Sequence, residues 1–376
     1  MKRRRTSQIL FFFISIAYVL TGCSDNPSEP RLTTTRLTDI TLVDTLARVN
    51  FGFPLAFDSQ GEPHLAYLRR DPAAESWAYA RQIIYSHRVA GEWQREIVVR
   101  NGDFLDGLNL GFEESQQPFV MYQRILAPCA ANLEIATRAP NGYWSEAVID
   151  SDGYPGWNTS VQMLPSGDIR MAYSAGCPYY NLRYAERLAG EWSTMTVESD
   201  ESSGDFPTLA STEDGEPLIV SSQIYVGLRL TQRSNGAWHT STLVPGGFSA
   251  HLVTDESFHL HLLYSEKTLG GDYILKYAIR KPSGTWHHEL VAHEAVYEPS
   301  VALDSSGNLW FVYSHYEDQA HQSFMIGEGS GGNWSIKELP EVGAVQNVTI
   351  SRTFDGRLGV AYITTSNKLY FAWVQP

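Results

Sequence analysis

The chain has few cysteines and few positive charges. Its 376 residues include three cysteines, none of them in a Cys-x-x-Cys pair, which leaves too few thiol ligands for a metal site. Twenty-eight Lys and Arg residues face 42 Asp and Glu residues, for a net charge of −14. Such a surface repels phosphate backbones, so we expect no nucleic-acid partner.

Helical patterning is also missing after the N-terminal segment. No later stretch carries a long apolar period of 3.6 residues, so we expect a helix content near nil. The apolar residues instead form short runs rich in Val, Ile, Tyr, Phe and Trp, bounded by Gly, Pro and Asp, as strands are. A composition that is 43% hydrophobic and 12% aromatic is enough for a dry core between sheets.

What the chain does have is a repeat. A glycine, one residue and a tryptophan recur six times, with the tryptophans 51, 48, 46, 48 and 48 residues apart. These tryptophans are Trp93, Trp144, Trp192, Trp238, Trp286 and Trp334. A fixed period of this length is typical of stacked or radially arranged structural units.

Each repeat contains four candidate strands, called a to d in chain order. In the first repeat they resemble residues 54–57, 64–67, 83–86 and 93–98. Four strands in ~45–50 residues, with one tryptophan per unit, predict an all-β, seven-bladed β-propeller of four-stranded blades. A six-bladed ring with an irregular terminal blade is the alternative. A parallel β-helix has far shorter repeats, and a sandwich would not repeat.

The seventh repeat stops after strand c, and its missing strand is predicted at the other end of the chain. Residues 37–44 align with residues 144–150, and both segments end in an aspartate that leads into a strand a. We therefore expect the N-terminal strand to complete the last blade, which would leave no free sheet edge.

The first 22 residues indicate a targeting signal. A basic run at 2–5 precedes an apolar run at 9–20, which is too short for a comfortable membrane span. Residues 20–23 then resemble the lipobox of bacterial lipoproteins, in which the chain is cut before a lipidated cysteine. The resemblance implies a signal peptide at 1–22 and a lipidated Cys23, followed by a polar tether to residue 32. The repeats fill nearly all of the remaining chain, so we expect a single propeller domain at 33–376. An ordinary secretion signal with a chance cysteine is the alternative.

The implied anchor would attach the protein to the membranes of the bacterial cell envelope. Several acyl chains, such as the two of diacylglycerol and a further palmitate, hold a protein stably on a membrane, whereas a single chain would not. Ser24 favours the outer over the inner membrane, by resemblance to enterobacterial sorting, and leaves periplasmic and surface-exposed locations open. Cleavage would leave 24 basic residues against 42 acidic ones, so the attachment is expected to depend on lipid rather than a basic patch. We expect a monomer.

The two remaining cysteines occupy neighbouring repeats. Cys129 and Cys177 both fall between strands b and c, four and five residues before the equivalent Leu133 and Leu182. Because an exported protein can keep a disulfide, we predict a Cys129–Cys177 bridge between blades two and three.

The b–c loops are predicted to carry the function, because they vary while the a–b and c–d turns are short and uniform. This face is rich in aromatic and charged residues, which suit sugars: rings pack on C–H groups, and carboxylates accept hydrogen bonds from hydroxyl groups. The candidate ligand-binding residues are Arg69, Trp77, Tyr79, Trp157, Tyr180, Tyr273, Tyr297, His315 and Tyr316.

Residues at identical repeat positions are expected to be structural. This applies to the Gly-x-Trp tryptophans, to the strand-b tyrosines such as Tyr67, and to the arginines equivalent to Arg138, which are expected on solvated outer strands. His259 and His261 share one face of a strand, but no acid or third histidine falls at a matching spacing. We therefore expect no metal and no cofactor.

The repeat resembles the BNR-like, sialidase-like propellers of exported bacterial proteins. The resemblance rests on Asp-x-x-Gly-x-Pro-His-Leu-Ala-Tyr at 58–67, then Tyr-Ser or Tyr-Ala, then Gly-x-Trp, and it covers nearly the whole mature chain. It implies a fold that hosts hydrolases, lyases, lectins and inert scaffolds. Residues 304–310 match the sialidase Asp box, Ser-x-Asp-x-Gly-x-x-Trp, only in part. Residues 51–54 lack the arginine of a sialidase Phe/Tyr-Arg-Ile-Pro segment.

Three functions follow as hypotheses. The leading one is an anchored binding module, foremost for glycans, because no sialidase catalytic set is identifiable. The second is a carbohydrate-active enzyme, either a sialidase-like hydrolase or a polysaccharide lyase. The third is an envelope scaffold that docks other proteins.

Overall fold

Seven antiparallel sheets follow one another along the chain. The computed structural model describes residues 35–48, 52–71, 81–102, 104–177, 179–199, 202–282, 284–294, 296, 299–318 and 321–375. Residues Thr35–Gln375 form one compact unit. Beside the strands, the described residues contain one short 3-10 turn at Pro340–Val342, and none of their helices is long and apolar enough to cross a membrane. The predicted all-β, seven-bladed propeller of four-stranded blades is confirmed.

Each blade is built from consecutive strands in the order a, b, c, d. Blade one contains β3 (Leu55–Phe57), β4 (Pro63–Arg70), β5 (Arg81–Val89) and β6 (Glu92–Gly102), and β2 (Ala47–Arg48) adds to its β4. Blade two contains β7 (Phe104–Phe112), β8 (Pro118–Ala127), β9 (Ala130–Arg138) and β10 (Trp144–Asp150). Blade three contains β11 (Pro155–Met163), β12 (Ile169–Ala175), β13 (Asn181–Leu188) and β14 (Glu191–Glu198).

The other four blades repeat this plan. Blade four contains β15 (Asp205–Ser211), β16 (Pro217–Gln223), β17 (Gly227–Ser234) and β18 (Ala237–Pro245). Blade five contains β19 (Gly247–Thr254), β20 (Leu260–Lys267), β21 (Tyr273–Arg280) and β22 (Trp286–Ala292). Blade six contains β23 (Ser300–Leu303), β24 (Leu309–Asp318), β25 (His321–Ser330) and β26 (Asn333–Glu338). Blade seven contains β27 (Val345–Arg352), β28 (Leu358–Thr364), β29 (Leu369–Gln375) and, as its outer strand, β1 (Arg36–Asp44).

The ring closes by pairing the two ends of this unit. β1 lies antiparallel to β29, with Arg36 opposite Gln375 and Leu42 opposite Tyr370. The N-terminal strand therefore completes blade seven, as predicted. Because β1 supplies the outer strand of blade seven, the outer edge of β29 is paired rather than open.

The Gly-x-Trp tryptophans hold neighbouring blades together. Each half-buried indole packs against strand c of the preceding blade, and Trp144 meets Tyr85 edge-on with ring centroids 5.3 Å apart. Three indole N–H groups also donate to that blade's strand d: Trp93 Nε1 to Thr41 Oγ1 at 3.0 Å, Trp144 Nε1 to Glu96 Oε2 at 3.1 Å, and Trp334 Nε1 to Glu289 Oε2 at 3.3 Å. The predicted structural role of these tryptophans is confirmed, since one side chain fills the blade interface and fixes its register.

The tyrosines of the b strands make a second contact between blades. The Tyr67 hydroxyl donates to Asp44 Oδ2 at 2.7 Å, and that of Tyr173 donates to Asp150 Oδ2 at 2.6 Å. Both tyrosines are fully buried, as expected of core residues. Burial raises the pKa of Tyr67, and the Asp44 carboxylate raises it further, so the phenol stays protonated and remains a donor. The Asp44–Tyr67 bond is the copy that joins the closing strand to blade one.

The repeated arginines are not the simply solvated residues predicted. Arg138 on blade two forms two hydrogen bonds to Glu96 on blade one, at 2.8 and 3.0 Å. Arg187 likewise reaches Glu113 of the preceding blade at 3.2 Å. Their identical repeat positions therefore place ion pairs across the blade interfaces.

Polar side chains at one repeat position connect the inner strands around the central channel. They are Asn109, Ser160, Thr208, His251, Ser300 and Thr349, one from each of blades two to seven. Adjacent a strands share no sheet, and hydroxyl groups accept from backbone amides of the next blade instead: Ser160 Oγ from Leu209 N–H at 3.0 Å, and Thr208 Oγ1 from Leu252 N–H at 2.9 Å. These bonds satisfy backbone groups that the blade geometry leaves unpaired.

Cys129 and Cys177 form the predicted disulfide, which joins the b–c loops of blades two and three. The bridge spans 48 residues of sequence, so it restrains the unfolded chain as well as the loops.

Replacing Asp44 by Asn tests how far ring closure depends on this single carboxylate. Asp44 is 2% exposed and also accepts from the backbone N–H groups of Thr45 and Leu46. An amide there would place N–H groups against the Tyr67 hydroxyl and Arg69, so we expect the free energy of unfolding to fall by about 1–3 kcal/mol. Urea unfolding followed by tryptophan fluorescence measures this. The control is Asp39→Asn on the exposed side of the same strand, and an equal loss in both variants would contradict a special role for Asp44.

Candidate functional site

A backbone irregularity recurs where the inner strands of blades two to five begin. Strand a carries a bulge there, and the bulged residue has positive φ: Gly107 (59°) in blade two, Asn158 (45°) in blade three, Phe206 (46°) in blade four and Ser249 (50°) in blade five. Glycine and asparagine adopt this conformation readily, but a phenylalanine rarely does. Bulges of this kind redirect neighbouring side chains. The residues just before them in blades three to five are Trp157, Asp205 and Phe248.

In blade three the bulge supports a pair of aromatic rings. Trp157 and Tyr180 lie parallel, with an interplanar angle of 6° and ring centroids 6.5 Å apart. Trp157 precedes strand a's bulge, and Tyr180 ends the b–c loop that also contains Cys177. The disulfide to blade two therefore holds one side of this aromatic pair in place.

In blade four the equivalent residue is a carboxylate. Asp205 Oδ1 accepts a hydrogen bond from Asn158 Nδ2 at 2.8 Å, which joins blades three and four. Burial raises the pKa of Asp205, and the bond from Asn158 opposes that shift. Burial also raises the pKa of Tyr180, and the Asp205 charge adds to it. Asp205 is thus a partly desolvated acid whose charge acts on the Tyr180 phenol.

Between blades four and five the same face opens into a cavity of about 440 Å³. Its lining comes from the d–a and b–c connections and includes Asp205, Phe206, Tyr225, Phe248, Lys267 and Tyr273. Phe248 meets Tyr273 edge-on at 6.0 Å, and Lys267 Nζ lies 5.5 Å from the Tyr273 ring centroid. Tyr225 stands fully exposed at the rim. We call Trp157, Tyr180, Asp205 and the lining of this cavity the blade 3–5 site.

The central channel adjoins this site. Its cavity of about 340 Å³ shares Phe206 with the blade 4/5 cavity and contains Trp157 and Asn158 in its wall. Burial lowers the pKa of His251 in the wall to about 4, so its imidazole is neutral at physiological pH. The channel side of the site therefore offers uncharged hydrogen-bonding groups.

Rings, a carboxylate, an ammonium and amide groups together form a surface that binds amphipathic, hydroxyl-rich molecules. An aromatic face attracts the positively polarised edge of C–H groups, while the polar groups fix orientation.

The structure brings three of the predicted ligand-binding residues together at this site: Trp157, Tyr180 and Tyr273. Arg69 lies elsewhere, with its NH1 atom 3.7 Å from Asp44 Oδ2 at the closing strand. His315 Nδ1 lies 3.6 Å from Glu294 Oε2, and that glutamate also accepts from Tyr313. Trp77, Tyr79, Tyr297 and Cys23 lie outside the described residues, as does the side chain of Tyr316.

Sequence reasoning missed Asp205, Phe206, Phe248 and Lys267. It placed the weight on b–c loops, whereas the d–a connections contribute equally to the cavity. Aligning the repeats with one another could have found two of them, because Asp205 and Phe248 occupy the repeat position of Trp157. No motif marks that position, since a different residue type stands there in each blade.

A second cluster lies on an a–b turn of blade five. Asp255 Oδ2 is 2.7 Å from His259 Nδ1 and 3.4 Å from His261 Nε2. The expectation that no acid accompanies the two histidines is therefore wrong. The turn brings Asp255, four and six residues earlier in the chain, back against strand b.

Comparison with known proteins extends to the fold alone. No family model and no curated protein sequence matches the chain. The solved structures that resemble it include the BP39L lectin from Burkholderia pseudomallei, with a TM-score of 0.60, 12% identity, and coverage of 85% of this chain and 94% of the lectin.

Two further solved structures are comparably similar. A polysaccharide lyase of family PL25, an ulvan lyase, has a TM-score of 0.59 and 9% identity over 91% of this chain and 98% of its own. A protein of unknown function from Dyadobacter fermentans has a TM-score of 0.54 and 11% identity over 78% of this chain and 98% of its own. These likenesses are of fold: the chain has the same architecture as propellers that include a lectin and a polysaccharide lyase.

Proposed function

We propose that this protein is an exported, lipid-anchored binding module whose blade 3–5 site takes a glycan. The observation that carries the proposal is the set of aromatic side chains on either side of a half-buried carboxylate. Three of these residues, Trp157, Asp205 and Phe248, precede bulges at the same position of three successive blades. Propellers of similar fold include a lectin and a polysaccharide lyase, which agrees with a carbohydrate ligand.

The site suits an extended chain of sugars better than a single residue. Trp157 and Tyr180 offer one aromatic surface in blade three, and Tyr273 with Phe248 offers another between blades four and five. Asp205 lies between them in chain order and in the ring, where its carboxylate can accept from a hydroxyl group. Each aromatic surface would pack against one sugar ring, and Lys267 would meet an anionic or hydroxylated substituent.

Substituting the aromatic residues tests the binding role. Trp157→Ala and Tyr273→Ala each remove one ring surface, and we expect each to weaken glycan binding about tenfold, which is about 1.4 kcal/mol. A glycan array with the chain from Ser24 identifies the ligand, and calorimetry gives the Kd values. The control is Tyr143→Ala, because Tyr143 is 75% exposed but lies on a c–d turn of the opposite face. A negative array over broad polysaccharides would contradict glycan binding and favour protein docking.

A carbohydrate-active enzyme is the second candidate, and Asp205 is the observation that favours it. Acids whose pKa burial raises, next to a phenol in a cleft, are typical of acid–base sites. Such a carboxyl group could hold or deliver a proton at a glycosidic oxygen, or at a carbon beside a carboxylate.

Asp205→Asn separates the two candidates. If the site is catalytic, the amide should lower turnover of a bound polysaccharide by about 10²–10⁴-fold while leaving its Kd within a few-fold. If the site only binds, the wild-type protein releases no product in a reducing-end and unsaturated-product assay. The control is Asp214→Asn on an a–b turn of the same blade, which should change neither rate nor affinity.

The anchor is supported by the N-terminal sequence: the basic run at 2–5, the apolar run at 9–20, and the small residues before Cys23. The polar tether would hold the propeller close to a bacterial membrane, with the outer membrane favoured by Ser24.

Cys23→Ser tests the anchor directly. Without a thiol to acylate, the protein should move from the membrane pellet to the soluble fraction, and metabolic labelling with palmitate should disappear. Ser24→Ala serves as the control and should remain membrane-bound. A Cys23→Ser variant that still sediments with membranes would mean that another interaction holds the protein there.

A further inference from the structure

The a–b turn of blade five places three metal-ligating side chains within reach of one ion. One ligand atom each from Asp255, His259 and His261 lie within 4.8 Å of one another. Among the described residues this is the one group of three His, Cys, Asp or Glu side chains so arranged. The cluster lies on the face opposite the blade 3–5 site, so it is independent of the proposed glycan ligand.

The same turn recurs in blades one and six, where the two histidine positions of blade five are not both histidine. These copies show how the turn holds its aspartate when no pair of imidazoles faces it. In each copy the turn aspartate accepts through Oδ1 from two backbone N–H groups, at 2.9 Å from Gln60 and Glu62 in blade one and at 2.8 and 2.9 Å from Ser306 and Asn308 in blade six. Asp255 Oδ1 does the same with Ser257 and His259. The backbone thus holds each carboxylate with its Oδ2 directed to strand b.

The groups that face Oδ2 differ between the three blades. In blade six Asn308 Nδ2 and Trp310 Nε1 donate to Asp304 Oδ2 at 3.0 and 3.1 Å, and neither side chain can ligate a metal in that role. In blade one His64 Nε2 lies 3.5 Å from Asp58 Oδ2, but Glu62 stands where blade five has His259. Blade five alone of these three turns puts an imidazole at both positions.

The surroundings of the blade-five cluster match those of a metal ligand set. His261 is 4% exposed, and its Nδ1 is 2.6 Å from the Tyr277 hydroxyl, which fixes the ring and leaves Nε2 facing Asp255. A hydrogen bond to the non-ligating nitrogen is the usual second partner of a metal-bound histidine. The side chains of His259 and Asp255 are 30% and 20% exposed, so the cluster opens to solvent on one side.

We propose that Asp255 Oδ2, His259 Nδ1 and His261 Nε2 bind one divalent transition-metal ion, with water in the remaining positions. Two imidazoles and one carboxylate suit zinc, cobalt, nickel or iron, and exclude the all-oxygen sets of calcium and magnesium.

The ion would connect the turn to a contact between blades. Glu256, next to Asp255, accepts from Arg352 NH2 at 3.2 Å, and Arg352 NH1 also reaches the Leu303 carbonyl of blade six at 3.4 Å. The proposed ion would therefore lie beside the point where blades five, six and seven meet on this face.

The experiment titrates zinc and cobalt into the chain from Ser24, expressed without a polyhistidine tag and freed of metal with a chelator. Calorimetry should give one site per chain for zinc, and cobalt should show a visible absorption band that zinc removes. His259→Asn copies the residue found in blade six and keeps a donor for Asp255, so it should fold normally yet bind at least about tenfold more weakly. His287→Asn, which removes an exposed histidine of strand β22, should leave the titration unchanged.

A gain-of-site variant completes the test. Glu62→His rebuilds the blade-five arrangement on the Asp58–His64 turn and should raise the stoichiometry from one to two ions per chain. Absence of stoichiometric zinc binding by the wild type, or equal binding by His259→Asn, would overturn the proposal. A stoichiometry that stays at one in Glu62→His would contradict the assignment of the turn as the metal-binding unit.

Discussion

The structure depends on the need of every blade to bury two faces. A twisted four-stranded sheet presents apolar side chains on both sides, and only the neighbouring blades can cover them. One tryptophan per repeat makes this contact directional: the indole of one blade packs on strand c of the blade before it, as Trp144 does on Tyr85. The last such contact joins Trp93 of blade one to Phe371 of blade seven, with ring centroids 5.8 Å apart. The same packing that joins successive blades therefore also closes the ring.

Much of this architecture was predictable because the contact repeats. An interface residue that every blade needs leaves a period in the sequence, and six Gly-x-Trp copies were enough to predict four-stranded blades. The closing strand was predictable for the same reason, since Asp44 and Asp150 bind equivalent tyrosines. The arginines misled because their partners, such as Glu96 for Arg138, lie on another blade and follow no spacing within one repeat.

The site resisted prediction because function departs from the repeat. Trp157, Asp205 and Phe248 share one position but no chemistry, so no motif marks them. Their presentation depends on a positive φ at Asn158, Phe206 and Ser249, and only the first of these residue types suggests it. The turn of blade five was not predicted for a different reason. None of its residues is unusual in the sequence, and Asp255 becomes a candidate ligand only because the turn brings it close to the His259 and His261 rings.

Ring closure also orders the events of folding. Arg36 pairs with Gln375, so the closing strand is synthesised well before its partner, 339 positions away in sequence. Contacts this distant close slowly because the loop entropy is lost before any pairing is gained. Until then, the closing strand and the edge of β29 are both unpaired and able to join other chains. A chain built this way depends on being kept apart from its copies until its final blade has emerged.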